Sequence, residues 1–256
     1  MKKFLYSFFW PFLALPIVRR ILKKKKYYIF TNYPFNADGL STKHNFDFLK
    51  DKRFKNSYNK SINEIRTYWR AHVIAWAGEN AKKLGGDFVE CGVHTGGTAM
   101  MVYDYARIDK SKIKFYLIDT FTGLVKNLIS KEELKEWGKN KKNPVDHYVE
   151  DVEMITRQKF KNRKNVKIIK GEIPKILKKI KTKKISYLHI DLNCAIPEIK
   201  ALEFFWGKIQ KGGIIISDDY GWENHIVQKK AWDKFAKSKG TSVLSLPTGQ
   251  GVIFKN

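Results

Sequence analysis

The chain has 256 residues, 43% of them hydrophobic, enough for one sizeable core with an appended N-terminal element. It carries 50 basic residues against 25 acidic ones, a formal net charge of +25, and 42 of the 50 are lysines spread over the whole length. Diffuse lysine describes a solvated surface first and anionic small molecules or lipids second; without a helix-turn-helix, zinc-finger or RNP-type aromatic pattern it argues against nucleic acid. Two cysteines, Cys91 and Cys194, lie outside any CxxC pair. That argues against a zinc finger and a disulfide scaffold and fits a reducing cytoplasm, with a bridge between Cys91 and Cys194 at neighbouring strand ends as the alternative.

The N-terminus opens with an apolar run, Phe4–Val18, between Lys2-Lys3 and the basic cluster Arg19-Arg20 and Lys23–Lys26. Its 15 residues are fewer than a spanning helix needs, and Pro11 and Pro16 interrupt it. A basic cluster follows where a signal peptide would place small residues. Residues 1–26 therefore read as an arm. It lies on an anionic membrane surface through Trp10, its aromatic neighbours and the lysine collar, or it packs on protein, including a second copy of the chain. The expected location is cytoplasmic, with peripheral attachment at the inner membrane surface as the arm's alternative. Residues 27–60, polar with scattered aromatics, read as a linker or lid.

From Ser61 the chain changes character. Ser61-Ile-Asn-Glu64 is a capping box, and Ile62, Ile65, Trp69, Val73 and Trp76 recur at helical spacing up to Gly85-Gly86, which places both tryptophans in the core. In Asp87–Met100, DFVECGVHTGGTAM, a short strand runs through Glu90 into Gly92, Gly96 and Gly97, then Thr98 and a helix. The spacing is not that of the dinucleotide fingerprint, and a plain strand-to-helix turn has the same grammar. Yet Glu90 at the inner end of a buried strand needs a partner, which a cationic or hydroxyl-rich ligand would supply. A second strand, Ile113–Ile118, ends in Asp119, well placed for the two hydroxyls of a ribose. Leu124–Asn165 is an insertion with a second capping box at Ser130–Glu133 and a lysine-rich surface loop at Gly138–Pro144.

Strand three, Val166–Ile169, leads into Gly171-Glu172-Ile173-Pro174 and a basic helix. Strand four, Ile185–Ile190, ends in Asp191, with His189 read as a satisfied core residue. A helix opens at Pro197, Lys211-Gly212-Gly213 reads as a turn, and Ile214–Ile216 ends in Asp218-Asp219. A last helix and a closing pair of strands, Ser242–Leu246 and Val252–Phe254, follow. β-Branched strands alternating with helices specify a parallel α/β sheet with helices on both faces, whose strand ends line one crevice. Four strands end in acids. Asp191, Asp218 and Asp219 together offer an all-oxygen ligand set suited to Mg2+.

DFVECGVHTGG, YLIDTFTGL, HIDLN and GGIIISDDYG, in this order over about Ser61–Phe254, resemble the class I S-adenosylmethionine-dependent methyltransferases, specifically the macrocin O-methyltransferase (TylF-like) family. The resemblance implies a Rossmann-like seven-stranded sheet with its last strand antiparallel, over residues 61–256. It also implies methyl transfer to a hydroxyl of a small acceptor, often a sugar or glycoconjugate, with Mg2+ assistance. S-adenosylmethionine would be held by Glu90, Gly92, His94, Thr98, Asp119, Phe121, Glu172 and Asp191. The metal would fall to Asp191, Asp218 and Asp219, and the base to Asp191 or His225. Many relatives carry a further acid or a lysine shortly after the first aspartate, where this chain has Asn193 and Cys194. Methylation at nitrogen or carbon, or a membrane-surface protein that keeps the fold without turnover, are the alternative readings.

Overall fold

The computed structural model describes residues 48, 50–61, 68–139 and 152–256. The N-terminal arm, most of the linker segment, the capping box beyond Ser61 and most of the lysine-rich loop lie outside the described residues. Phe48–Asn256 forms one compact unit. Its elements are α1 (Lys52–Ser61), α2 (Tyr68–Lys82), β1 (Asp87–Cys91), α3 (Gly97–Tyr105), β2 (Phe115–Asp119), α4 (Lys131–Lys139) and α5 (Glu153–Phe160). These are followed by β3 (Val166–Lys170), β4 (Ile185–Ile190), α6 (Ala195–Trp206), β5 (Ile209–Ser217), α7 (Ile226–Ser238), β6 (Leu244–Ser245) and β7 (Gly251–Phe254).

The seven strands form one sheet in the order β3-β2-β1-β4-β5-β7-β6. The pairs among β1 to β5 are parallel, and β7 runs antiparallel to both β5 and β6. The central strands are buried on both faces, so alternate residues serve two cores. Phe88, Phe115, Leu117, Tyr187, Ile214 and Ile216 pack with α1, α2 and α3. Val89, Cys91, Ile118, Leu188, Ile190 and Ile215 pack on the opposite face with Leu202, Phe205, Trp232 and Phe235 of α6 and α7. Helices thus cover both faces, as expected for a parallel α/β sheet.

Several local expectations need correction. The compact unit begins before Ser61, because α1 lies within the segment read as linker or lid. Phe54, Ser57, Tyr58 and Ser61 are its buried residues, a helical stripe seated on α3, where Ser57 Oγ donates to Asp104 Oδ2 at 2.8 Å. Ser61 is the last residue of this helix, and its hydroxyl donates to the Tyr58 carbonyl at 2.8 Å. Trp69 and Trp76 are not core residues: Trp69 is half-buried and Trp76 is 44% exposed. The stripe of α2 that meets the core is Ala71, Ile74, Ala75, Gly78 and Ala81, small side chains that bring the helix axis close, which leaves the large rings at its flanks. Gly212-Gly213 lies inside β5, where the register against β4 shifts between Ile185↔Ile209 and Tyr187↔Ile214. Three extra residues are accommodated there as a bulge. The basic segment after β3 is a short 3-10 turn, Lys175–Lys179, and Gly138 belongs to α4.

Candidate active site

The parallel strands β1, β2 and β4 end at one edge, and the chain leaves each in a tight turn. Gly92, directly after β1, has φ +84, and a Cβ there would stand 1.8 Å from the Asp191 carbonyl oxygen. Only glycine lets the ends of β1 and β4 come this close; they are tied by Asp191 N–H donating to the Cys91 carbonyl at 2.8 Å. Gly96, also at positive φ, precedes α3, whose N-terminus has no side-chain cap. Between these turns lies a pocket. Gly92, His94, Asp119, Phe121, Gly171, Asp191 and Asn193 line it together with an apolar wall that includes Ile118, Leu124, Val125, Leu128, Ile173 and Pro197.

Asp119 lines this pocket, but its carboxylate also builds it. Oδ2 accepts from the backbone N–H of Val93 at 2.5 Å and of His94 at 2.8 Å, and Oδ1 from that of Phe121 at 2.7 Å. His94 (φ +49) and Phe121 (φ +59) both occupy the left-handed region that L-residues rarely adopt. A charged acceptor that ties three N–H groups offsets the cost of those turns. The acid expected to face a ribose thus also organises the two loops flanking it.

Glu90 is fully buried and is not among the residues that line the pocket. It sits in register with His189, whose Nδ1 is 3.5 Å from Glu90 Oε2, while His189 Nε2 is 3.5 Å from Asp218 Oδ1. Among the described residues, no atom completes a hydrogen bond with either Glu90 oxygen or either His189 nitrogen. His189 is therefore not the satisfied core residue expected from the sequence. Burial pushes the Glu90 carboxyl up from the usual carboxylate range.

Asp191 borders the pocket, and Asn193 Nδ2 donates to its Oδ1 at 3.1 Å. Burial, and next the nearby Asp219 carboxylate, push the Asp191 carboxyl well above its ordinary value, with the Arg70 charge opposing. Thr98 and Glu172 do not line the pocket; Thr98 lies in the first turn of α3, and Glu172 pairs with Lys175 at 3.0 Å. His225 is not brought to the pocket either. Its Nδ1 meets Gln228 Oε1, and Gln228 in turn donates to Glu198 Oε1 at 2.8 Å.

Sequence reasoning passed over Glu198 and Arg70, and read Glu133 only as part of a helix cap. Glu198, 1% exposed, accepts from Trp232 Nε1 at 2.6 Å, and burial raises its pKa to about 8. Glu133 completes the expected capping box with Ser130, at 2.8 Å from both its backbone N–H and its hydroxyl. Its other oxygen accepts the Ala195 N–H at 2.6 Å, so the insertion is anchored to the start of α6 beside the pocket. Only the capping pattern of Glu133 was readable in advance.

The sequence profile of the macrocin-O-methyltransferase (TylF) family matches residues 74–247. The chain belongs to this family. It is an O-methyltransferase, and its fold is shared by solved enzymes of that class. The O-methyltransferase NovP superposes with a TM-score of 0.62 at 19% identity, over 74% of this chain and 81% of that one. The calicheamicin methyltransferase CalS11 gives 0.58 at 12% identity, over 88% and 99%. An O-methyltransferase from Bacillus cereus in complex with SAH gives 0.51 at 10% identity, over 86% and 94%. At these identities the likeness is one of fold. No curated protein matches the chain.

In this O-methyltransferase the three acids expected to bind Mg2+ are not arranged as a ligand set. Asp218, 7% exposed, gives Oδ2 to the Arg70 guanidinium and accepts the Gln250 amide on Oδ1 at 2.9 Å. Asp219 Oδ1 lies 3.8 Å from the same guanidinium. No group of three acids, histidines or cysteines among the described residues is placed to hold a metal ion. The residues as arranged do not fit a divalent cation, since Asp218 is already paired with the Arg70 guanidinium, which also lies beside Asp219. Among the described residues no helix is long and apolar enough to cross a membrane.

Proposed function

We propose that the chain transfers a methyl group from S-adenosylmethionine to a hydroxyl of a sugar or sugar-bearing small molecule. The observation that carries the reading is the pocket at the β1, β2 and β4 ends, where Gly92, His94, Asp119, Phe121 and Asp191 converge. Its chemistry fits the cofactor. Ile118, Phe121 and Ile173 offer an apolar slot for a purine, Asp119 an acceptor for ribose hydroxyls, and Asp191 a carboxylate beside a sulfonium or ammonium. The SAH-bound Bacillus cereus enzyme of the same fold supports the cofactor. The macrocin-O-methyltransferase family, and CalS11 as a TDP-rhamnose 3'-O-methyltransferase of the same fold, support a sugar acceptor.

Bound in this pocket, S-adenosylmethionine supplies an electrophilic methyl on a positively charged sulfur. The protein's own part is alignment and proton removal. The loops held by Asp119 fix the pocket wall and would position the cofactor and acceptor against each other, the kind of alignment that accounts for much of the rate. Asp191 is the base. In its ionised form, which a neighbouring cationic cofactor would favour, Asp191 would take the proton of the acceptor hydroxyl. Asn193 holds the Asp191 carboxylate by one oxygen and leaves the other for the acceptor. Leu124, Val125 and Leu128, from the loop after β2, close the apolar side against water.

The test is calorimetry with S-adenosylhomocysteine and NAD, followed by transfer of labelled methyl from the cofactor into cell extract with mass-spectrometric identification of the product. Binding of S-adenosylhomocysteine alone and label in an O-methyl ether support the reading. Label appearing only on nitrogen or carbon, or no binding, overturns it.

A further inference from the structure

Arg70 stands near the start of α2, far in sequence from every acid at the strand ends. Its guanidinium nevertheless ion-pairs with Asp218, 148 residues away, and lies 3.8 Å from Asp219. The arginine side chain is only 20% exposed, so the charge is held largely out of water, with its Cζ 6.0 Å from the Trp222 ring centre. Asp218 is engaged on both oxygens: Arg70 takes Oδ2, the Gln250 amide takes Oδ1, and His189 Nε2 lies 3.5 Å from Oδ1. The backbone joins this cluster to the pocket edge, because the Asp218 N–H donates to the Ile190 carbonyl at 3.0 Å, immediately before Asp191. A single fixed cation thus occupies the position where two adjacent strand-end carboxylates would otherwise require one.

We propose that Arg70 is the resident cation of this site: it pairs with Asp218 and partly compensates Asp219 in place of a divalent metal, so the methyl transfer proposed above proceeds without one. The inference rests on that reading of the pocket. The physical argument is competition for the same oxygens. A hard divalent ion binds by collecting several carboxylate and carbonyl oxygens, with Mg2+ demanding near-octahedral geometry. To collect Asp218 and Asp219 it must displace a guanidinium that is already paired and largely buried, and leave that guanidinium uncompensated. A lysine in the same place would be a strongly hydrated point charge, whereas the planar, weakly hydrated guanidinium suits a site shared between two carboxylates. Arg70 is on this account a positioning residue. It sets the orientation and charge of the acidic pair next to Asp191.

The experiment is Mn2+ binding to the full chain, followed by electron paramagnetic resonance with Mg2+ competition and S-adenosylhomocysteine present. Wild type is expected to leave the free Mn2+ signal unchanged. Arg70→Ala and Arg70→Gln should each gain one saturable site, tighter than wild type by at least about tenfold, and Asp218→Asn added to either should abolish it. Arg70→Lys, which keeps a cation there, should stay without that site. In labelled-extract assays, wild-type methyl transfer should be unchanged in excess chelator. One tightly bound Mn2+ per wild-type chain, or loss of wild-type activity on chelation, overturns the proposal even where an Arg70 variant does not fold. So does a folded Arg70→Gln chain that gains no site. Calorimetry with S-adenosylhomocysteine reads the methyltransferase assignment separately: a chain that does not bind it overturns that assignment, while the Mn2+ result still decides the role of Arg70.

Discussion

Replacing Asp119 with alanine separates the two tasks given to this carboxylate, building the pocket and meeting a ligand. In the folded chain it accepts three backbone N–H groups, from Val93, His94 and Phe121, at 2.5 to 2.8 Å. Hydrogen bonds to a charged group contribute about 1.5–3 kcal/mol each, though bonds sharing one carboxylate do not add in full. Asp119 is also half-buried, so water can reach part of what is left behind. The net loss should be about 3–5 kcal/mol. At about 2–4 °C per kcal/mol for a unit of this size, the thermal midpoint should fall by about 6–20 °C. With His94 and Phe121 released from their left-handed conformations, affinity for S-adenosylhomocysteine should drop by at least about tenfold. Asp119→Asn keeps one acceptor oxygen but turns an amide group toward an N–H, and should lie between wild type and alanine. Scanning calorimetry and isothermal titration on all three proteins read both effects. A midpoint within about 2 °C of wild type, with affinity lost, would show that the acid serves the ligand alone and refute its structural role.

Gly92→Ala should lower the melting midpoint by more than about 5 °C and remove S-adenosylhomocysteine binding, because its Cβ would collide with the Asp191 carbonyl and φ is +84; wild-type affinity in that variant would contradict the packing argument. Glu198 has a folded pKa raised from 4.5 to about 8. The folded state therefore holds a proton that the unfolded chain releases, and its contribution to stability falls as pH rises from 4.5 to about 8 and then levels off. Urea midpoints across that range should show less decline in Glu198→Gln than in wild type, and an identical profile would remove the assignment. Deleting residues 1–26 should release the protein from vesicles containing anionic lipid while S-adenosylhomocysteine binding persists; a full-length chain that stays in the supernatant would rule out the membrane role of the arm.

The alternation of β-branched strands with helices was legible because buried parallel strands and capped helices are specified by neighbours a few residues away. The strands β1 to β4, the Ser130–Glu133 cap and the turn at Gly92 all follow from local rules. So does the edge of the sheet at which the site lies, since the carboxyl ends of parallel strands converge whatever the side chains. Where local rules fail, the reason is size or distance. The buried face of α2 is made mostly of alanines and a glycine, so weighting the large rings misplaces Trp69 and Trp76. The stripe Phe54, Ser57, Tyr58 and Ser61 is present but half polar, and α1 reads as part of a linker. What the strand-end acids do could not be read locally at all. Each is visible as an acid after a strand, but only the folded chain turns Asp119 toward three backbone amides and brings Asp218 to a guanidinium from α2. A carboxylate near a site takes whichever donor or cation the tertiary structure delivers to it. For Asp218 that donor comes from 148 residues away, a separation at which sequence pattern carries no information about contact.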